Sequence, residues 1–447
     1  MSPACVFTPS TPEEISVAVV NLQRYQTPFA IRGGGHMPID DAANINSTGI
    51  LISSTNLNLI KLSDNQQSVS IGAGNRWDDV YEYLDGTVWA VPGARQSTVG
   101  VAGYLLGGGM SFYSYEYGFG STNGNVRAFE CVLSDGSIVT ATATNDYSDL
   151  FWALQGGGNS LCIVTRFDMR TIYAPATMLG SASYGNGEEI KEKWIDSVYN
   201  YAVEGGSDPK GTIIPVARWN PALKTTEYSS TFFYNGNNTR PALFNDWLGA
   251  TLIPNENNTS LMPITLGQYS ESVRPAFEKG GEAYGYRQKF YLVPVKANTE
   301  ALRIIHDTYF DGVRNMLSNI TDIIAGIAGN PVTAEFLAAS NRGIGCPQGP
   351  EEVAAFWIEE TLAWKDAKDD AIIDAFIKTV NANITAQLEP IKALSSFYYL
   401  NDADAGQPVF ETYPPENLAR LKEIRSKYDP DMVFTELMPG GFKIAYA

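Results

Sequence analysis

The sequence is poor in several residue types, and each shortage excludes a class of protein. Of its 447 residues only 31 are Lys or Arg, against 49 Asp or Glu, and the formal net charge is −18. A chain this acidic repels phosphate backbones and anionic membranes, so neither nucleic acid nor a membrane is an expected partner. No apolar run approaches the roughly 18 residues that a membrane helix requires.

Cysteine is scarce, and its spacing carries no metal signature. The four cysteines are Cys5, Cys131, Cys162 and Cys346. They form neither a CxxC pair nor the spacing of a zinc site, so we predict no metal centre. They can form two disulfides at most, and burial as small apolar side chains is the alternative. The cysteines therefore do not decide the compartment.

The common nucleotide-binding motifs are missing as well. No G-x-G-x-x-G opens a helix after the first predicted strand, and no G-x-x-x-x-G-K-[ST] occurs. The first absence argues against a nicotinamide cofactor in a Rossmann domain, and the second argues against P-loop chemistry.

Acceptor triplets for N-linked glycans, Asn-x-Ser/Thr, are plentiful. The acceptors are Asn46, Asn237, Asn257, Asn258, Asn319 and Asn383. No signal peptide is visible, so we predict secretion with a leader that the printed sequence does not include. Chance occurrence in a chain rich in Asn and Thr, and hence an intracellular enzyme, is the alternative.

Local patterns divide the chain into three stretches. Over residues 1–175 short strands alternate with helices and glycine clusters, and Asn75 is expected to cap one of these helices. Over 176–396 the triplets of glycine vanish, and aromatic strands alternate with longer amphipathic helices. This change predicts a second domain with its own antiparallel sheet. Because residues 397–447 return to the first style, we predict an α+β protein whose first domain has two parts.

Glycine is the strongest positive signal. Triplets occur at residues 33–35, 107–109 and 156–158. Glycine costs folding entropy, so clusters persist where the backbone approaches something closely or adopts a positive φ. Runs of backbone N–H groups bind anions, and two such loops would suit the phosphates of a dinucleotide. Tight turns between packed strands are the alternative, and three triplets in one domain favour a ligand.

His36 is one of two histidines, and it follows the first triplet directly after a predicted buried strand. Nothing local requires an imidazole there. From placement alone it is a ligand contact, a general base or a solvated loop residue. His306 lies within a predicted helix and is expected to be structural.

The residues around His36 resemble a known family. Arg32-Gly33-Gly34-Gly35-His36 matches the Arg-(Ser/Gly)-Gly-Gly-His loop of the berberine-bridge-enzyme-like FAD-linked oxidases, within the vanillyl-alcohol-oxidase superfamily and in particular its fungal members. Residues 98–109 resemble the family's second flavin loop, 149–165 its third, and 399–442 its C-terminal signature. The likeness covers the first and last stretches and is thin between them.

The resemblance implies a two-part FAD-binding domain of the vanillyl-alcohol-oxidase type, whose final strand and helices come from residues 397–447, and an α+β substrate domain. His36 would bond to the methyl group on the benzenoid ring of the flavin, which raises its reduction potential. The implied FAD-binding residues are Arg32, Gly33, Gly34, Gly35, His36, Met37, Gln96, Ser97, Thr98, Val99, Gly100, Val101, Gly103, Gly108, Gly109, Val164 and Asn401.

Departures from the family pattern carry their own predictions. Gln96 stands where many members have the Cys that makes a second flavin link, so the tether is expected through His36 only, with a lower potential than in doubly linked relatives. Asp402 replaces the usual Tyr after Asn401. A carboxylate there is either a base, if burial raises its pKa, or the cap of a turn.

Two further features bear on the substrate and on oxygen. Val101 takes a position thought to gate oxygen in the family, and a small Val resembles the oxygen-permissive type; packing between glycines is the alternative. The middle stretch carries a set of aromatic residues that would either stack on a sugar or aromatic substrate or fill a core. These are Trp219, Phe232, Tyr234, Tyr284, Tyr286 and Phe290.

Together these features predict an FAD-dependent oxidase that acts on a small alcohol, sugar or secondary metabolite and reduces oxygen to hydrogen peroxide. The base is expected among Tyr399, Asp402 and an unidentified carboxylate of the middle stretch. An oxidative or redox-neutral cyclase of a secondary metabolite on the same scaffold is the alternative. A flavin-bearing glycoprotein without activity is a third reading. We expect a monomer whose partners are a small-molecule substrate and oxygen.

Overall fold

A computed structural model describes residues 2–256, 260–281 and 283–447. Asn257 and Asn258, two of the predicted glycan acceptors, lie outside the described residues. Up to residue 173 the strands are β1 Cys5–Phe7, β2 Phe29–Arg32, β3 Ile50–Ser53, β4 Ile60–Leu62, β5 Ser68–Gly72, β6 Trp89–Ala90, β7 Val126–Val132, β8 Ile138–Thr142, β9 Ile163–Arg170 and β10 Ile172–Tyr173. The helices among them are α1 Pro12–Arg24, α2 Trp77–Leu84, α3 Val101–Leu106, α4 Ser114–Tyr117 and α5 Ser148–Ala153.

The first strands build two sheets of different construction. β1, β3 and β2 form a parallel sheet in the order β1-β3-β2, and the chain leaves β2 directly into the first glycine triplet. β4, β5, β9, β7 and β8 form an antiparallel sheet in that order. β7 and β8 form a hairpin, and Gly136 turns between them with a φ of +84°. A disulfide joins Cys131 of β7 to Cys162, just before β9.

Helix α1 shows how local sequence sets these elements. The Thr11 side chain accepts a hydrogen bond from the backbone N–H of Glu14. Proline suits the first helical position because a backbone N–H there would have no partner within the helix. Ile15, Val19 and Leu22 recur at helical spacing and are buried against the rest of the domain. The face that the sequence makes apolar is therefore the face that docks.

The middle of the chain builds one large antiparallel sheet, as predicted. Its strands are β11 Thr177–Gly185, β12 Gly211–Asn220, β13 Thr225–Asn235, β14 Met262–Pro263, β15 Arg287–Lys296, β16 Ile324–Ala328, β17 Pro331–Val332 and β18 Ala355–Trp364. Their order is β14-β11-β13-β12-β16-β18-β15, and β17 also pairs with β18. The helices of this part are α6 Glu188–Glu204, α7 Leu266–Val273, α8 Thr299–Gly312, α9 Ala334–Ser340 and α10 Asp370–Leu388. The α+β class is confirmed.

Residues 397–447 correct one expectation. They contribute helix α11, Pro415–Tyr428, and several short helical turns, but no strand. Asp429 fixes the chain after α11 because its carboxylate accepts from the backbone N–H groups of Val433 and Phe434. The tail therefore packs on the first stretch through helix and loop contacts, such as that of Tyr428 with Asp149, and not by extending a sheet.

The expectation for Asn75 was also wrong. Its side chain donates to the carbonyl oxygens of Leu59 and Gly72 and does not cap α2. Instead Asp79, in the first turn of the helix, accepts from the backbone N–H of Arg76.

Among the described residues no helix combines the length and the apolar character needed to cross a membrane.

Candidate active site

A cavity of about 490 Å³ lies where the glycine loops, the tail and the large sheet meet. Its walls include residues 33–37 after β2, residues 94–96 and 99–100 with the first turns of α3, residues 399–402 and 441–442 of the tail, and Ile214, Phe290 and Glu359 of the large sheet. Segments far apart in the sequence thus close one space, and the predicted flavin loops are among them.

The two glycine loops touch each other backbone to backbone. A Cβ atom built at Gly100 would lie 2.2 Å from the Gly34 nitrogen, and one at Gly34 would lie 2.3 Å from the Gly100 nitrogen. No side chain fits at either position. Arg76 fastens the contact, because its guanidinium donates to the carbonyl oxygen of Gly34 at 2.8 Å and to that of Thr98.

His36 lies on the cavity wall beside this contact. Burial, and next the positive charge of Arg76, lower the pKa of His36 to about 4. The imidazole is therefore neutral at physiological pH, and a ring nitrogen keeps its lone pair. A neutral imidazole is the form that can bond to an electrophilic carbon.

Gln96 has an unsatisfied polar atom and lies on the cavity wall. Its Nε2 is buried and has no hydrogen-bond partner among the described residues. Buried polar atoms are normally satisfied, so a polar ligand is expected beside it. A Cβ at Gly103 would meet nothing within 4 Å, because this glycine faces the cavity. The residues present therefore fit a flavin dinucleotide held mainly by backbone groups.

Some implied FAD-binding residues stand behind the wall instead of on it. Those that do not line the cavity are Arg32, Ser97, Thr98, Val101, Gly108 and Gly109. Arg32 donates to the Ala43 carbonyl oxygen at 3.0 Å, Val101 is fully buried, and the Cα of Gly109 lies against the ring of Tyr104. Gly33, Gly34, Gly35, His36, Met37, Gln96, Val99, Gly100, Gly103, Val164, Tyr399, Asn401 and Asp402 all line it.

The tail brings Asn401 and Tyr399 to the second glycine loop. Asn401 Nδ2 donates to the Tyr104 carbonyl oxygen at 3.1 Å and to the Tyr399 hydroxyl at 3.0 Å. The same hydroxyl accepts from the Met110 backbone N–H at 2.7 Å. Burial, and next the negative charge of Asp402, raise the pKa of Tyr399. This hydroxyl is therefore held in place and stays protonated.

Two carboxyl groups line the cavity: Asp402 from the tail and Glu359 from β18. Burial raises the pKa of Asp402 to about 6, against the lowering effect of Arg95. Burial, and next Asp402, raise the pKa of Glu359 to about 8. Burial and mutual repulsion oppose ionisation of both groups at once, so the pair loses its protons in two steps, and the singly ionised pair can accept a proton from a substrate.

Sequence reasoning did not name Glu359, Arg95 or Arg76. For Glu359 a signal existed, because Glu359 and Glu360 interrupt the strongly apolar strand Ala355–Trp364. Charged residues are rarely buried without a reason, so such an interruption marks a site or a buried polar network. The two arginines have no comparable local pattern.

Of the predicted aromatic wall, only Phe290 lines the cavity. Trp219 and Phe232 are buried in the core, Tyr234 donates to Asp208, and Tyr284 is 53% exposed. The positions of Trp219 and Phe232 reflect packing in the large sheet, which is the commoner fate of aromatic residues. His306 has a structural role, as expected. Its ring forms hydrogen bonds with the hydroxyl of Tyr228 at 2.8 Å and with the carboxylate of Asp307.

Known proteins are similar to this chain in sequence. Residues 3–142 match a family described as "FAD binding domain". FAD-dependent monooxygenase prx3 of Penicillium roqueforti is 33% identical over 465 residues, which cover 99% of this chain and 86% of that protein. Bifunctional solanapyrone synthase of Alternaria solani is 29% identical over 99% of this chain and 82% of that protein.

The fold is shared with a solved structure. Berberine bridge enzyme from Eschscholzia californica superposes with a TM-score of 0.74 at 16% identity, over 97% of this chain and 89% of that one. The sequence relatives and the fold agree with the motifs in the glycine loops. The chain therefore belongs to the family of FAD-dependent oxidoreductases that includes prx3, and it shares the fold of berberine bridge enzyme.

Proposed function

We propose that the protein is an oxidase that takes two electrons and two protons from a hydroxyl-bearing small molecule, either an alcohol, a sugar or a secondary metabolite, and converts oxygen to hydrogen peroxide. Bound FAD would supply the hydride acceptor and the route of the electrons to oxygen. The observation that carries the proposal is the Glu359–Asp402 pair, which faces the same cavity as the glycine loops and His36.

The chain's own contribution to the chemistry is a proton acceptor. The carboxylate of the pair takes the proton of the substrate hydroxyl, which strengthens the adjacent carbon as a hydride donor. Tyr399 is a poor base because its raised pKa keeps it protonated, and its fixed hydroxyl is suited to orient the substrate. Of the candidates that the sequence left open, the carboxylates therefore fit the role of base best.

The tether is proposed through His36 alone. The imidazole is neutral, it lies on the cavity wall, and Gln96 replaces the second attachment point. Covalent flavin survives acid precipitation, so the pellet of the wild-type protein should be yellow and that of His36→Ala colourless. Release of FAD into the supernatant from the wild type would refute the covalent part and leave the oxidase proposal standing.

Secretion is also part of the proposal. The disulfide between Cys131 and Cys162 supports an oxidising compartment, where such bonds persist. Four glycan acceptors at described positions, Asn46, Asn237, Asn319 and Asn383, are consistent with it.

Anaerobic mixing with a panel of sugars, alcohols and phenolic metabolites tests the oxidase activity directly. Loss of the flavin colour, followed by one peroxide per product when oxygen is admitted, is the expected result. Incorporation of labelled oxygen into the product instead would indicate a monooxygenase, as prx3 is named. A rearranged product without peroxide would favour the cyclase, the candidate that the similarity to solanapyrone synthase supports.

A further inference from the structure

We propose that Arg76 locks the peptide group between Gly34 and Gly35 in one orientation, and that it thereby decides whether the N–H or the carbonyl of that peptide faces the cofactor. Arg76 is exposed and does not line the cavity, so it is a positioning residue that works through the backbone. The inference concerns FAD binding alone and needs neither the tether nor the oxidase activity.

The Gly34–Gly35 peptide has little of its own to hold it in one orientation. A peptide group turns over when ψ of the residue before it and φ of the residue after it rotate in opposite senses. Here both residues are glycines, which have no side chain to resist the rotation. Gly35 has a φ of +65°, and a negative φ is about as accessible to glycine. The local sequence therefore leaves two orientations of this peptide open.

The guanidinium of Arg76 selects one of them. Its Nη2 donates to the Gly34 carbonyl oxygen at 2.8 Å, and its Nη1 donates to the carbonyl oxygen of Thr98. In a trans peptide the N–H points away from the carbonyl. Because the carbonyl is held at Arg76, outside the cavity, the N–H of Gly35 points the other way, and Gly35 is a residue of the cavity wall.

The backbone around Arg76 is fixed, so the side chain reaches both carbonyls from a defined point. The Trp77 N–H donates to the Val99 carbonyl oxygen at 3.0 Å, and the Val101 N–H donates to the Asn75 carbonyl oxygen at 3.0 Å. These two bonds join the start of α2 to the second glycine loop on either side of Arg76. The guanidinium therefore links the first glycine loop to a rigid frame.

The orientation matters because FAD carries its negative charge on two phosphates. A backbone N–H attracts such a group, whereas a carbonyl oxygen in its place repels it. The charge of Arg76 is felt in the cavity, since it is the second cause, after burial, that lowers the pKa of His36. An apoprotein without this arginine would hold the peptide in both orientations, and only one of them would bind FAD.

The test uses the full chain in a His36→Ala background, where FAD binds without a covalent bond. Stopped-flow flavin fluorescence gives the association and dissociation rates, and their ratio gives Kd. Arg76→Met should raise Kd at least about tenfold, mainly through slower association, because fewer molecules are competent before binding. Arg76→Lys should recover part of the affinity, because the ammonium keeps the charge and one donor at a time. Arg240→Met removes an exposed charge outside the cavity and should bind FAD like its parent.

An unchanged Kd in Arg76→Met overturns the proposal. So does a rise that comes from faster dissociation alone, because Arg76 would then stabilise the bound state and not select the peptide. If Arg76→Met does not fold, the His36→Ala parent still decides. In the parent, FAD should slow amide hydrogen exchange at Gly35 at least about tenfold, since its N–H then has an acceptor. Equal exchange with and without FAD overturns the proposal, whereas a wild type without acid-stable flavin or peroxide formation loses only the proposed function.

Discussion

The cavity has two walls, and they are built from different parts of the polypeptide. The wall of residues 33–37 and 99–103 is mainly backbone, since Gly34 and Gly100 approach so closely that no side chain fits between them. The other wall consists of side chains from separate strands, among them Ile214, Phe290 and Glu359. A wall of backbone suits a cofactor, which is always the same molecule. The side chains of the other wall can be substituted, and the substrate thereby changed, without altering the sheet that carries them.

The sheet wall also shows how strictly its roles depend on register. Glu359 and Glu360 are neighbours on β18, and successive side chains of a strand point to opposite faces. Glu359 faces the cavity, while Glu360 is fully buried on the other side and accepts from Asn381 Nδ2 at 2.9 Å. Two neighbouring glutamates thus have different roles: Glu359 belongs to the cavity, and Glu360 belongs to a hydrogen bond in the core.

The largest effect is expected where the backbone wall is broken. A methyl group at residue 100 has no space, so Gly100→Ala should separate the loops, lower the melting temperature and eliminate bound flavin. Gly103→Ala is the matched change, because a Cβ there meets no described protein atom within 4 Å. Gly103→Ala should leave the stability of the apoprotein unchanged. Any loss of flavin in this variant would come from contact between the added methyl group and the flavin. Thermal melting and flavin absorbance separate the two; normal flavin content in Gly100→Ala would contradict the account of this wall.

Removing the proton acceptor should have the next largest effect. In Glu359→Gln and Asp402→Asn the rate of anaerobic flavin reduction should fall by about 10²- to 10⁴-fold, since a positioned base contributes about that much. Flavin content should not change, because neither residue belongs to the backbone wall. Glu360→Gln is the control on the opposite face and should reduce its flavin at the normal rate. Full activity in both cavity variants would show that neither wall supplies the base.

The contrast between the walls also explains what the sequence predicted. The loop around His36, the second glycine loop and Asn401 are recognisable because their residues are contiguous and their chemistry is local. Glu359 and Arg95 become neighbours of Asp402 only through the order of strands β12, β16 and β18 and the path of residues 91–96, which no local pattern encodes. The two alternatives for the aromatic set stayed open for the same reason: alternation places Phe232 and Tyr234 on a common face but does not say what covers it.

A smaller effect is expected from pH on the wild type. A carboxylic acid accepts no proton until it has lost its own, so the rate of flavin reduction should rise with pH through about 6, where the Glu359–Asp402 pair first ionises, and then level off. The pKa of His36, about 4, lies below this window, and that of Tyr399 lies above it. A rate that is flat or that falls between pH 5 and 8, measured by anaerobic stopped-flow, would exclude the pair as the base.

The smallest effect concerns stability alone. Burial raises the pKa of Glu360 to about 8 from an ordinary value of 4.5, so the folded state binds a proton that the unfolded state has lost between these limits. Stability should therefore fall as pH rises from 4.5 to 8. Glu360→Gln has no such proton and keeps an acceptor for Asn381 Nδ2. It should be more stable than the wild type at pH 8 and nearly equal to it at pH 4.5, as measured by urea unfolding.

Glu423→Gln makes the same exchange on an exposed face of α11 and should shift neither value. An unchanged pH dependence in Glu360→Gln would mean that Glu360 is ionised in the folded protein. In that case strand register would not separate the two glutamates chemically, and the distinction between a carboxylate that serves the cavity and one that serves the core would be lost.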